Sequence, residues 1–100
     1  MPVISNLAGN GTQVQIAVSG RFSFSLHKEF RHAYRYHQNI TEYRVNLAYT
    51  DYIDSAALGM LLLLREHAVK ANGKVVIEQP SEGVQQVLLI ANFDKLFTIV

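Results

Sequence analysis

Residues 45–77 read VNLAYTDYIDSAALGMLLLLREHAVKANGKVVI. Tyr43, Val45, Leu47 and Tyr49 alternate with Arg44, Asn46 and Ala48, a period of two that predicts a strand. The polar cluster Asp51, Asp54 and Ser55 follows, and strong helix formers then run from Ser55 to about Asn72. Arg65, Glu66 and Lys70 share one angular stripe of this helix, which is otherwise apolar and reads as buried. Asn72-Gly73 supplies a left-handed stop, and KVVIEQ (residues 74–79) is a β-branched strand. Strand, helix and strand in this order make a crossover unit, and crossover units build parallel sheets.

Upstream, Val3, Ile4 and Leu7 and then Val14, Ile16 and Val18 flank AGNGTQ (residues 8–13), whose Asn10-Gly11 pair suits a two-residue hairpin turn. After Gly20 the apolar positions Leu26, Phe30, Ala33 and Tyr34 recur at helical spacing, which predicts a helix over Leu26–His37 with Ser23 or Ser25 as its N-cap. Downstream of Pro80, Ser81 caps an expected helix over Glu82–Ala91 that buries Val84, Val87, Leu88 and Ala91. KLFTIV (residues 95–100) closes the chain as a short strand or tail. The expected order is β-β-α-β-α-β-α-β. This is an α/β chain (α+β in some schemes), a mixed sheet with helices packed against it and the first hairpin as its antiparallel edge.

A chain of 100 residues that is 49% hydrophobic holds one domain, residues 1–100, and is too short for two. With no cysteine, packing alone must hold the fold, and a reducing cytoplasm suits it. No signal peptide is expected at the start, and the run Leu58–Leu64 is far too short to span a membrane. Asn10 and Asn39 open Asn-x-Thr triplets, which without a secretory signal read as turn residues. Residues 1–50 carry five Lys/Arg against two Asp/Glu, and residues 51–100 carry four against six. Arg21, Lys28, Arg31 and Arg35, with His27, His32 and His37 among them, read as a solvated helix face, since the basic excess is too weak for a nucleic-acid partner.

Ser55 is the residue that the chemistry turns on. A nucleophile elbow requires glycine two positions before and two after the serine, and Ile53 and Ala57 stand there instead, so a small serine hydrolase is only a distant alternative. Asp51 and Asp54 beside a helix start suit the free N–H groups better than acid–base catalysis. His27, His32 and His37 are five apart, about 140° on a helix, and do not share a face as metal ligands would. The glycines lack the spacing of a nucleotide-binding loop. No cofactor is expected. Ser55 is left as a helix cap or as a residue that accepts phosphate, because the first turn of a helix tolerates an anion while the added charge would change any docking surface.

The block VNLAYTDYIDSAALGMLLLLREHAVKANGKVVI resembles the signature of STAS domains, the family of bacterial anti-sigma factor antagonists, in which a strand leads to an Asp-Ser-Ser/Thr-Gly-Leu-Gly turn, a helix, a Gly and an apolar strand. GRFSFSLHKEFRHA (residues 20–33) and VQQVLLIANFDKLFTI (residues 84–99) resemble the family's early Gly-x-Leu-Asp segment and its closing helix and tail. The resemblance implies that Ser55 is the phosphorylated serine, preceded by Asp54, and that Asp51, Asp54, Ser55, Ala56, Leu58, Gly59 and Ser23 meet a partner. It implies that the unphosphorylated protein binds an anti-sigma factor that is also a serine kinase and so frees a sigma factor. A metal-dependent serine phosphatase would restore binding, and the protein itself is then no enzyme. Ala56 and Ala57 replace the usual Ser/Thr and Gly, and Ser23 replaces the early Asp. The alternative within the same fold is a constitutive adaptor, for example the cytoplasmic accessory subunit of a lipid-transport ATPase.

Overall fold

The computed structural model describes residues 2–100. Strands β1 (Val3–Ala8) and β2 (Gln13–Val18) pair antiparallel, with Ala8 opposite Gln13. The hairpin connection is four residues, not two: Gly9, Asn10 and Gly11 take positive φ angles of 58°, 59° and 84° in a 3-10 turn closed by Thr12. β4 (Glu42–Asn46), β6 (Lys74–Glu78) and β7 (Thr98–Ile99) extend the sheet in parallel from β2, giving the order β1-β2-β4-β6-β7.

One face of this sheet is the core. Val14, Ile16 and Val18, Tyr43 and Val45, and Val75 and Ile77 point from it toward the helices α1 (His27–Arg35) and α2 (Ser55–Lys70), and all are buried. α2 contributes Ala57, Met60, Leu61, Leu64 and Ala68, one face of the helix. The opposite face is solvated and laced with charge. Arg44 donates to Glu42 at 2.8 Å and to Glu78 at 3.2 Å, Lys74 lies 3.4 Å from Glu42, and Gln13 donates to the same carboxylate at 2.6 Å. The registers Gln13–Glu42–Lys74 and Ala17–Asn46–Glu78 place these side chains in rows across the strands. Arg44 first, by hydrogen bonding, then Lys74, holds the Glu42 carboxyl below its ordinary range against the opposing effect of burial.

The expected strand through Tyr49 stops early. The Asn46 side chain accepts the Ala48 N–H at 2.8 Å, a local turn that competes with the ladder and ends β4. The chain resumes as β5 (Thr50–Ile53), and the counterpart break after β2 passes through Gly20, at φ 79°, into β3 (Gly20–Phe22). β3 and β5 pair in parallel as a second, two-stranded sheet that continues the β2–β4 pair beyond the bend. Thr50 clamps the junction: its hydroxyl donates to Val18 O at 2.7 Å and its carbonyl accepts the Ser81 hydroxyl at 3.0 Å. Ser81 is the N-cap residue of α3 (Glu82–Ile90), as expected, but spends its hydroxyl on this clamp and not on the helix.

The helix ends differ in detail from the sequence expectation. α1 is shorter than Leu26–His37 and follows a 3-10 turn (Phe24–Leu26). Ser23 and Ser25 do not cap it but pair their hydroxyls with each other at 2.9 Å. α2 ends at Lys70, and Asn72, at φ 60°, is the left-handed residue of the stop. Gly73 serves close approach instead, since a Cβ there would lie 3.2 Å from the Ile40 and Thr41 carbonyls. α2 is also less buried than its composition suggests: Leu62, Leu63 and Val69 are exposed beside the charged residues.

Candidate functional site

β5 carries the chain past the end of the main sheet and delivers Asp54 to the start of α2. Asp54 is in extended conformation, and its Oδ1 accepts the Ala57 N–H at 2.8 Å. Asp54 is therefore the cap, and Ser55 is the first helical residue, which corrects the reading of Ser55 as cap. The consequence is chemical. Ser55 is exposed, and its hydroxyl has no hydrogen-bond partner among the described residues. Asp54 occupies one free N–H of the first turn and the Leu58 N–H bonds Asp54 O at 3.1 Å, so the N–H groups of Ser55 and Ala56 keep no acceptor within the helix.

Parallel pairing of β3 with β5 sets Ser23 beside this turn: the Asp54 N–H donates to Phe22 O at 3.3 Å, and Ser23 is the next residue. Ser23 is partly exposed and Asp51 exposed at its edge of β5. Along α2, Ala56, Leu58 and Gly59 are all partly accessible, and nothing lies within 4 Å of where a Gly59 Cβ would stand. The seven residues singled out from the sequence thus fall on the β3 and β5 ends and the first turns of α2.

Sequence reasoning missed the aromatic border. Tyr49 is 75% exposed, Phe24 62% and Tyr52 43%, and Arg21 lies over the Tyr52 ring at 4.3 Å. Tyr49 O accepts the Gly20 N–H at 2.9 Å, and Arg21 and Tyr52 are register partners, so the pairing of β3 with β5 brings Tyr49, Arg21 and Tyr52 onto the strand pair that carries Asp51 and leads to Ser23. Exposed tyrosines with an arginine are typical of a docking surface. A partial signal was available in YTDYIDS (residues 49–55), where Tyr52 beside Asp51 falls off the alternation that ends at Tyr49.

No histidine hydrogen-bonds to Ser55 among the described residues. Nor do the described residues contain a group of three or more His, Cys, Asp or Glu able to hold a metal ion. His27 instead stacks on Phe24, and His32 meets Tyr36 edge to face.

A family model described as Mlab, STAS domain, matches residues 5–100. The chain belongs to the STAS family. A STAS-domain containing protein of Pseudomonas aeruginosa is 40% identical over 100 residues, covering 99% of both chains. Among solved structures, the anti-sigma factor antagonist SpoIIAA in its unphosphorylated form superposes with a TM-score of 0.77 at 15% identity, over 98% of this chain and 86% of that one. The phosphorylated form of SpoIIAA, described as a Bacillus cell fate determinant, gives 0.71 at 14% identity, over 98% and 90%. A Thermotoga maritima protein described as a candidate anti-sigma factor antagonist gives 0.83 at 18%, over 97% and 84%. At such identities these likenesses establish the STAS fold alone, a mixed sheet with helices packed against it. Among the described residues no helix is long and apolar enough to cross a membrane.

Proposed function

We propose that this STAS domain is an anti-sigma factor antagonist in a partner switch controlled by phosphorylation of Ser55. The observation that carries the reading is the exposed, unengaged Ser55 hydroxyl on the first turn of α2, with Asp54 doing the capping. The unphosphorylated surface, from Asp51 and Ser23 through Ala56, Leu58 and Gly59, binds an anti-sigma factor that is also a serine kinase and releases the sigma factor. A phosphate on Ser55 finds free N–H groups and the positive end of the helix dipole, so the fold tolerates it. The same phosphate adds nearly two negative charges next to Asp51 and Asp54, and a partner fitted to the neutral hydroxyl is repelled. A metal-dependent serine phosphatase resets the switch. The protein is a ligand and a kinase substrate in this scheme, working in the cytoplasm without a cofactor of its own. The test is binding of the cognate kinase by Ser55→Ala and Ser55→Asp variants: the first binds constitutively and the second poorly, whereas equal affinities would refute the switch.

A second reading is a constitutive adaptor, for example the cytoplasmic accessory subunit of a lipid-transport ATPase. Leu62, exposed one turn beyond Leu58 on the same face of α2, extends the apolar ground there, which supports docking independent of Ser55. Co-purification with an ATPase that Ser55→Asp leaves unchanged would favour it.

A further inference from the structure

Between α1 and α2, away from Ser55, runs a groove of about 590 Å³, within the range of small-ligand sites. Its length is set by α1, nine residues and so about 13 Å. The floor is apolar: Phe30 and Met60 are buried beneath it, and Leu63, 60% exposed, forms one wall. The rim is cationic. Arg31 and Arg35 stand one turn apart on α1, and neither pairs with a carboxylate among the described residues. Lys70 faces them from α2, loosely joined at 3.9 Å to Glu66, the one carboxylate along the groove. Arg31 lies at the middle of α1 and Arg35 in its last turn, where the helix dipole favours cations, and Arg35 also lies 5.5 Å from the Tyr36 ring.

The groove also holds polar groups that bond to no other protein group and stay open to water. The Tyr34 and His67 rings pack edge to face at 5.0 Å, with Tyr43 5.7 Å from His67, and neither the Tyr34 hydroxyl nor a His67 ring nitrogen hydrogen-bonds to the protein among the described residues. Burial raises the Tyr34 hydroxyl pKa, with Arg31 and Arg35 pulling the other way. Burial first, then Lys70, lowers that of His67, so both are neutral near pH 7 and offer hydrogen bonds without charge.

We propose that the α1–α2 groove binds a single-chain anionic amphiphile, of which a fatty carboxylate is the simplest, with its chain over Met60 and Leu63 and its head between Arg31, Arg35 and Lys70. Charge complementarity selects the head and the apolar floor selects the chain. The site is independent of the Ser55 switch, whose residues do not line it.

Titration of the ¹⁵N-labelled full chain with decanoate, kept below micelle formation, tests this by NMR. The expected result is saturable shifts confined to amides of α1 and of Met60–Lys70. An Arg31→Ser/Arg35→Ser double variant loses affinity by about a hundredfold, two charge-assisted contacts at about tenfold each. Both arginines are exposed, so the variant keeps its fold. Leu63→Gln, equally harmless to the core, weakens decanoate as well. Decyltrimethylammonium saturating the same amides, acetate matching decanoate, shifts centred on Ser55, or a response to phosphatidylglycerol vesicles alone would each overturn the proposal.

Discussion

The Asp54 carboxylate accepts the Ala57 N–H at 2.8 Å, and that bond is what leaves the Ser55 hydroxyl free. Where a serine caps its own helix, its oxygen is engaged and a kinase must first pull it away. Here the two tasks fall to neighbouring residues. Asp54→Ala removes the cap and lowers stability by about 1 kcal/mol, a fall in Tm of about 4–8 °C for a domain of this size. Asp54→Asn, which keeps an acceptor, costs a few tenths of that. Thermal unfolding followed by circular dichroism distinguishes the two.

Gly59 sits one turn beyond Ser55 on an open face, with no atom near enough to be struck by a side chain. Helix propensity alone says that Gly59→Ala raises stability by about 1 kcal/mol. Gly59→Arg is likewise tolerated by the fold, but it plants a long charged side chain on the docking surface. The expected outcome is an unchanged or higher Tm with binding of the partner kinase lost, read by calorimetric titration.

Thr50 is buried and joins three elements through its hydroxyl bond to Val18 O and its carbonyl bond from Ser81. Thr50→Val keeps the shape and removes the donor, leaving a buried carbonyl short of a partner at a cost of about 1–3 kcal/mol. Because the clamp holds β5, amide hydrogen exchange should quicken first over Thr50–Ile53 and not across the main sheet.

Two titrating groups set the acid side of the stability profile. The Glu42 carboxyl lies below its ordinary value of 4.5, chiefly through the Arg44 hydrogen bond, so its stabilisation is complete above that pH and fades as pH falls through the lowered value. His67 is also lowered, by burial and then Lys70, so the folded state resists its protonation and stability declines as pH drops below about 6.5. Urea unfolding across this range should show both declines. Glu42→Gln removes the lower one, and His67→Phe, which keeps the ring contacts with Tyr34 and Tyr43, removes the upper.

The β-α-β unit and the sheet it implies were legible because the alternation over Tyr43–Leu47 is clear and the long run of helix formers after Ser55 ends at Asn72-Gly73 before the β-branched KVVIEQ. What escaped was local competition. Asn46 diverts one N–H and ends β4 before the apolar alternation, which runs on to Tyr49, and a strand as short as β3 shows no period. That Asp54 and Ser55 stand together at a helix start was legible, but the division of labour between them was not. Both residue types are good caps, and only the backbone geometry assigns the place. The exposure of Leu62 and Leu63 was hidden for a related reason, since a run of four leucines carries no period of its own.

Phosphorylation of Ser55 in the cell is the central claim, and mass spectrometry of the tryptic peptide Val45–Arg65, from protein isolated from its native host in growth and under stress, reads it directly. The switch predicts a phosphate on Ser55 whose occupancy changes between the two conditions. A Ser55 that stays unmodified in both, or a phosphate found only on Tyr49, Thr50 or Tyr52, would contradict it.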